Sequence, residues 1–103
     1  MSLTLMVERK VVPGEQGALK SLLRELRSGA TLQPGFISGR SVVDAFNPTI
    51  FMTISNWSSI AAWEDWETQP VRRAIVERIN ALVQGEPDVC MWLDDDDAPP
   101  GAM

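Results

Sequence analysis

The 103 residues include no histidine, no tyrosine and a single cysteine. Without an imidazole there is no Cys–His nucleophilic pair, no metal site of the His/carboxylate kind and no neutral-nitrogen ligand for haem iron. One cysteine, Cys90, permits no internal disulfide and nothing demands an oxidising compartment; a buried strand thiol is the expected role. No segment approaches the roughly 20 apolar residues of a membrane span. The start, Met1 to Leu5, has no basic region leading into a long apolar run, so no signal peptide is read there and a cytoplasmic location is expected. Cations are also scarce: 9 Lys and Arg against 14 Asp and Glu give a net charge of −5. That balance argues against nucleic acid or anionic membrane as partners, since both are recognised by neutralising phosphates.

What is present fits one domain: a 45% hydrophobic content over 103 residues leaves no room for a second. Residues 1–93 read as that domain. Residues 94–103 begin with the run Asp94–Asp97, continue into Ala98–Pro99–Pro100–Gly101, and read as an acidic, disordered tail rather than a calcium loop.

Leu3 to Val12 alternates, with Leu3, Leu5, Val7 and Val11 on one face and Arg9 interrupting it, which predicts strand one. Pro13–Gly14 stops it. Ala18, Leu19, Leu22, Leu23 and Leu26 then form a helical stripe running to about Ser28, with Gly29 suited to the C-terminal cap. Phe36 to Ala45 predicts strand two, where Gly39 marks a bulge or a close approach. Asn47–Pro48 turns the chain into strand three, Thr49 to Trp57. Ser58 is placed to cap the next helix, which carries Ile60, Trp63 and Trp66. The helical region breaks at Thr68–Gln69–Pro70 and resumes with Pro70 in its first position and Val71, Ile75, Ile79, Leu82 and Val83 as its buried stripe. Val89 to Leu93 is a last strand.

The order β-α-β-β-α-β, with the second helix in two pieces, predicts an α+β ferredoxin-like sandwich: an antiparallel sheet with helices on one face. The other face is not cleanly polar. Depending on register it receives Met6, Val12, Phe51, Trp57 or Trp92, and a second copy packed sheet to sheet is the expected cover.

Several short stretches carry a family resemblance: Val11–Val12–Pro13–Gly14–Glu15, Gln33–Pro34–Gly35–Phe36–Ile37–Ser38–Gly39, Ile54–Ser55–Asn56–Trp57–Ser58–Ser59 followed by Trp63 and Trp66, and Pro70–Val71–Arg72–Arg73. In this order the chain, from about Leu3 to Leu93, resembles the antibiotic-biosynthesis-monooxygenase family of dimeric α/β barrels. The resemblance implies a pocket between sheet and helices, beside the tryptophan that ends strand three, matched here by Trp57. The haem-degrading branch also has an Asn in strand one and a His in the second helix, where this chain offers Val7 and Val76, so haem breakdown is not expected. The cofactor-free oxygenases of the family use an Asn four residues before that tryptophan; Thr53 stands here, with Asn56 nearby.

On that resemblance the activity expected is cofactor-independent oxidation of an aromatic, polyketide or quinol-type molecule. Trp57, Asn56 and Arg40 are the candidate catalytic residues; Thr53, Trp66, Arg73 and Phe51 are candidates for substrate binding. Trp57 and Trp66 would be walls, Arg40 or Arg73 would favour a phenolate, and Asn56 or Thr53 would hydrogen-bond. No metal and no cofactor are expected. The alternative is a non-catalytic ligand-binding or stress-response dimer that has lost the polar catalytic groups.

Bulk alone gives the same residues other roles. Trp57, Trp63 and Trp66 read first as core or dimer contacts. Arg72, Arg73 and Arg78 read as solvated, with Arg73–Glu77 an i,i+4 pair. Met6, Met52 and Met91 read as gap-fillers. Glu8 and Arg9 fall on opposite faces of strand one, so one of them points inward, where a buried charge would have to be paired and would mark a site.

Overall fold

The computed structural model describes residues 2–97. Four strands, β1 (Leu3–Lys10), β2 (Phe36–Val43), β3 (Ile50–Trp57) and β4 (Asp88–Leu93), form one antiparallel sheet in the order β2-β3-β1-β4. Helices α1 (Gln16–Ala30), α2 (Ile60–Glu67) and α3 (Pro70–Asn80) supply the helical layer. This is the expected ferredoxin-like sandwich. The expected tail divides: Asp95–Asp97 form one 3-10 turn, and 98–103 lie outside the described residues.

Residues paired across antiparallel strands share a face. Leu3, Leu5, Val7 and Arg9 sit opposite Trp57, Ser55, Thr53 and Phe51 of β3, and all four β1 residues are buried. The inner face is therefore fixed by the alternation of β1. Two apolar clusters fill the space above it. One joins Leu3, Leu5 and Val7 to Ala30, Trp57, Trp63 and Trp66; the other joins Val11, Leu19, Leu22 and Leu23 to Phe51, Ile75 and Ile79.

Phe51 and Trp57 are 2% and 1% exposed in these clusters, which removes them from the open face where the sequence also allowed them. Val12 lies beyond β1, where Val11 makes an isolated bridge to Val83. The open face carries Met6, Met52, Ile54, Val42, Cys90 and Trp92, the last 60% exposed. Cys90 is thus exposed, not buried: in β4 it pairs with Met6, on the side without helices.

Local chemistry explains the ends of the elements. Ser59, not Ser58, caps α2, its Oγ accepting from the Ala62 N–H at 3.0 Å. Ser58 instead donates its own N–H to the Gly35 carbonyl. Gly35 has φ +85°, and a Cβ there would lie 2.6 Å from Ala62 Cβ, so this turn needs glycine for both conformation and space. Gly29 does not cap α1, which runs on to Ala30. Its missing side chain admits Trp66, whose Cη2 would be 2.8 Å from a Cβ. The register of β2 shifts between Phe36 and Ser38. That bulge keeps Phe36 on the inner face and sends Ser38, Arg40 and Val42 outward. Gly39 allows the close approach: a Cβ there would meet Phe36 Cζ at 3.2 Å.

Candidate functional site

Between the inner face and the helices lies a small, open-mouthed cleft with a cavity volume of about 70 Å³. Its floor is Leu5 and Val7 of β1 with Thr53, Ser55 and Trp57 of β3; Trp63 and Trp66 of α2 and Leu26 of α1 close it from above. The indoles are held by one another and by the sheet. Trp57 meets Phe36 edge-on at 5.2 Å and Trp63 at 5.8 Å between ring centroids. Its indole N–H donates to Ser55 Oγ at 3.1 Å, so the polar end is satisfied while the ring faces remain apolar.

Two of the four arginines bordering this cleft, Arg9 and Arg72, enter it from opposite layers. Arg9, on β1, is only 6% exposed. Its Nη1 donates to Thr53 Oγ1 over a long 3.4 Å, and its Nε has no partner. Burial first, and then repulsion from Arg72, pushes its pKa down to about 10, so it remains a cation at neutral pH. Arg72, on α3, lies over Trp63 with its guanidinium carbon 4.8 Å from the ring centroid. It reaches the last carbonyl of α2, that of Glu67, at 3.4 Å, where the helix dipole favours a cation. The Arg72 Nε is buried and unpartnered. Burial lowers the Arg72 pKa, the Glu67 carboxylate opposes the shift and Arg73 adds to it. Among the described residues neither arginine has a carboxylate within ion-pair distance, whereas such a pair joins Arg78 to Glu25 at 3.2 Å.

A second hollow continues from this point along the uncovered edge of the sheet. Val7, Arg9, Trp63 and Arg72 border both spaces, and Val76, Val89 and Met91 line the extension. The two cations therefore stand at a junction, with indoles on one side and, on the other, an edge lined by Val76, Val89 and Met91 together with Glu67, Asn80 and Glu86.

Of the residues expected at a site, Trp57, Trp66, Thr53 and Arg40 border the first cleft. Arg40 is exposed and paired opposite Ile54, so it stands at the rim of β2 with outward parity. Three others are elsewhere. Asn56 faces outward, accepting from Thr4 Oγ1 at 2.8 Å and donating to Ser38 Oγ at 3.0 Å; strand parity separates it from Thr53. Phe51 belongs to the second core cluster. Arg73 is exposed and borders none of these hollows; one residue earlier on the helix, about 100° round, Arg72 takes the inward place. Arg72 and Trp63 are the members that sequence reading assigned to solvent and to core. Arg9 had a legible signal, a charge on an otherwise apolar strand face.

Among the described residues no group of three or more His, Cys, Asp and Glu could hold a metal ion. Among them also, no helix is long and apolar enough to cross a membrane.

Residues 2–78 match the family model described as antibiotic biosynthesis monooxygenase, and the chain belongs to that family. No curated protein matches it in sequence. Solved structures share the fold. SnoaB, a cofactor-independent oxygenase from Streptomyces nogalater, is 17% identical with a TM-score of 0.81, over 96% of this chain and 99% of that one. A protein of Pseudomonas aeruginosa is 22% identical with a TM-score of 0.79, over 90% and 93%. A protein of Mycobacterium tuberculosis is 15% identical with a TM-score of 0.84, over 96% and 100%. At such identities the likeness is one of fold.

Proposed function

From membership of this family, we propose that the chain is a cofactor-independent monooxygenase of an aromatic, polyketide or quinol-type small molecule, held in the cleft between sheet and helices. The observation that carries the reading is the cleft itself: indole walls from Trp57, Trp63 and Trp66 beside two inward cations. Flat apolar walls suit a fused-ring substrate, and nearby positive charge favours the deprotonated form of a phenol or enol. Such an anion is electron-rich enough to reduce dioxygen directly. A ring CH2 and one O2 then give a carbonyl and one water, with every electron drawn from the substrate.

The proton has no residue to receive it in the cleft, since no carboxylate lines it and the chain has no imidazole. Arginine cannot act as a base near neutrality. The proton therefore leaves to water at the mouth, and the protein contributes binding, orientation and charge. This lack of a base favours a second reading, a ligand-binding protein without turnover.

The open sheet face supports a homodimer. Met6, Val42, Met52, Ile54 and Trp92 lie on it together, an apolar surface that a second copy would cover.

Dioxygen uptake with a panel of hydroquinones and anthrones tests the enzyme reading. Turnover of any member supports it; binding without uptake leaves the ligand-binding reading; no uptake and no binding across the panel overturns both.

A further inference from the structure

We propose that the cleft selects aromatic molecules bearing a carboxylate, with the carboxylate seated between Arg9 and Arg72 and the ring system in the indole-lined cleft. The inference rests on the reading above that this cleft takes an aromatic ligand, and adds the charged group by which that ligand is recognised.

The first support is the distribution of charge. The chain has 14 acidic and 9 basic residues, yet the residues bordering the cleft include Arg9, Arg27, Arg40 and Arg72 and no Asp or Glu. Glu67 and Glu86 line the adjoining hollow, whereas the indole-walled cleft itself is cationic in a net-negative protein.

The second support is the state of the two inner arginines. A guanidinium offers five donors, and a buried one without a counter-charge is costly. Arg9 has one long bond and an orphaned Nε; Arg72 also has an orphaned Nε and one long bond. Each is close enough for Arg72 to depress the Arg9 pKa. An anion at their junction would supply acceptors to both and remove their mutual repulsion. On its own face of the sheet Arg9 is flanked by Val7 and stands opposite Phe51, apolar neighbours that do not call for a charge.

The third support is shape. Arg72 lies over the Trp63 ring, and the planar edge of its guanidinium carries the unpartnered Nε. That edge matches the two oxygens of a planar carboxylate. The indoles then meet the flat remainder of the same molecule.

Isothermal titration calorimetry on the full chain, with 2-naphthoate, 2-naphthylmethanol and 2-naphthyl phosphate as probes, tests this. Naphthoate should bind roughly tenfold or more tighter than the alcohol, as charge-assisted bonds to two guanidinium groups predict, and added salt should erode the naphthoate affinity and not the alcohol's. Arg9→Met should remove the preference while leaving the alcohol's affinity in place. Arg9→Lys, which keeps the charge without the planar fork, should retain part of it. If Arg9→Met does not fold, Arg72→Gln serves as the second variant with the same expectation.

Equal binding of naphthoate and alcohol, or a preference that survives both Arg9→Met and Arg72→Gln, overturns the carboxylate site and leaves the proposed function standing. A phosphate that binds tighter than naphthoate overturns the choice of carboxylate. Failure of all three probes to bind counts against the aromatic cleft itself.

Discussion

Replacing Arg9 by methionine should make the protein more stable, although it removes a residue from the site. Methionine keeps an unbranched chain along the inner face and discards a buried charge. Holding a guanidinium at a pKa of about 10 corresponds to roughly 3 kcal/mol of unfavourable interaction for its charged form. What is lost is the 3.4 Å contact with Thr53, worth about 1 kcal/mol at most at such a length. The net gain is about 1–3 kcal/mol, the range found when buried charges give way to apolar groups. For a domain of this size each kcal/mol moves the melting temperature by roughly 4–8 °C. Urea and thermal denaturation of wild type and Arg9→Met in parallel provide the assay. Arg78→Met, at the exposed pair with Glu25, serves as the control and should stay within about 0.5 kcal/mol. An Arg9→Met protein less stable than wild type by 1 kcal/mol or more would refute the reasoning, because it would mean that the guanidinium is well partnered in the ligand-free fold.

The same residue predicts a pH dependence. Its pKa is lower folded than unfolded, so above about 10 the folded chain gives up a proton that the unfolded chain keeps. The penalty is present in full below that pH and relieved as pH rises through it, so the advantage of Arg9→Met in urea should shrink on going from neutral pH to above 10. Ser59→Ala should cost about 1 kcal/mol through the lost α2 cap, and Ser58→Ala much less, by chemical denaturation. Gly35→Ala should destabilise by more than about 1 kcal/mol, since the added methyl meets Ala62 and Ser58 at a backbone angle glycine tolerates best. Trp92→Glu, on the open face, should yield monomers in sedimentation velocity, and unchanged dimers would place the interface elsewhere.

The fold was legible because β1 alternates almost without exception and because Pro70 and the neighbouring Thr and Gln mark where the second helix divides. The candidate cleft was legible in part. Trp57 and Trp66 follow from the strand-to-helix handover, and Arg9 from parity within a strand. Arg72 was not, because three arginines on one short helix differ only in phase, and a shift of one position separates solvent from cleft. Asn56 was misplaced for a similar reason: proximity to Thr53 in sequence means the opposite face in a strand. Strand two resisted because its bulge lies at Ile37, two residues before the glycine that hinted at it. Cys90 was read as a buried strand thiol, but on β4 it pairs with Met6 on the face without helices.

The edge position of β4 also bears on how the chain avoids sticking to itself. The stretch Val89–Cys90–Met91–Trp92–Leu93 is apolar throughout and mostly exposed, and β4 has a strand on only one side. A segment of this composition invites further strands to add. Asp88 stands immediately before it, and Asp94, Asp95 and Asp96 follow it without a gap. Copies stacked in parallel register would bring these carboxylates against one another, a repulsion that would oppose fibril growth at the flank where the sheet is open.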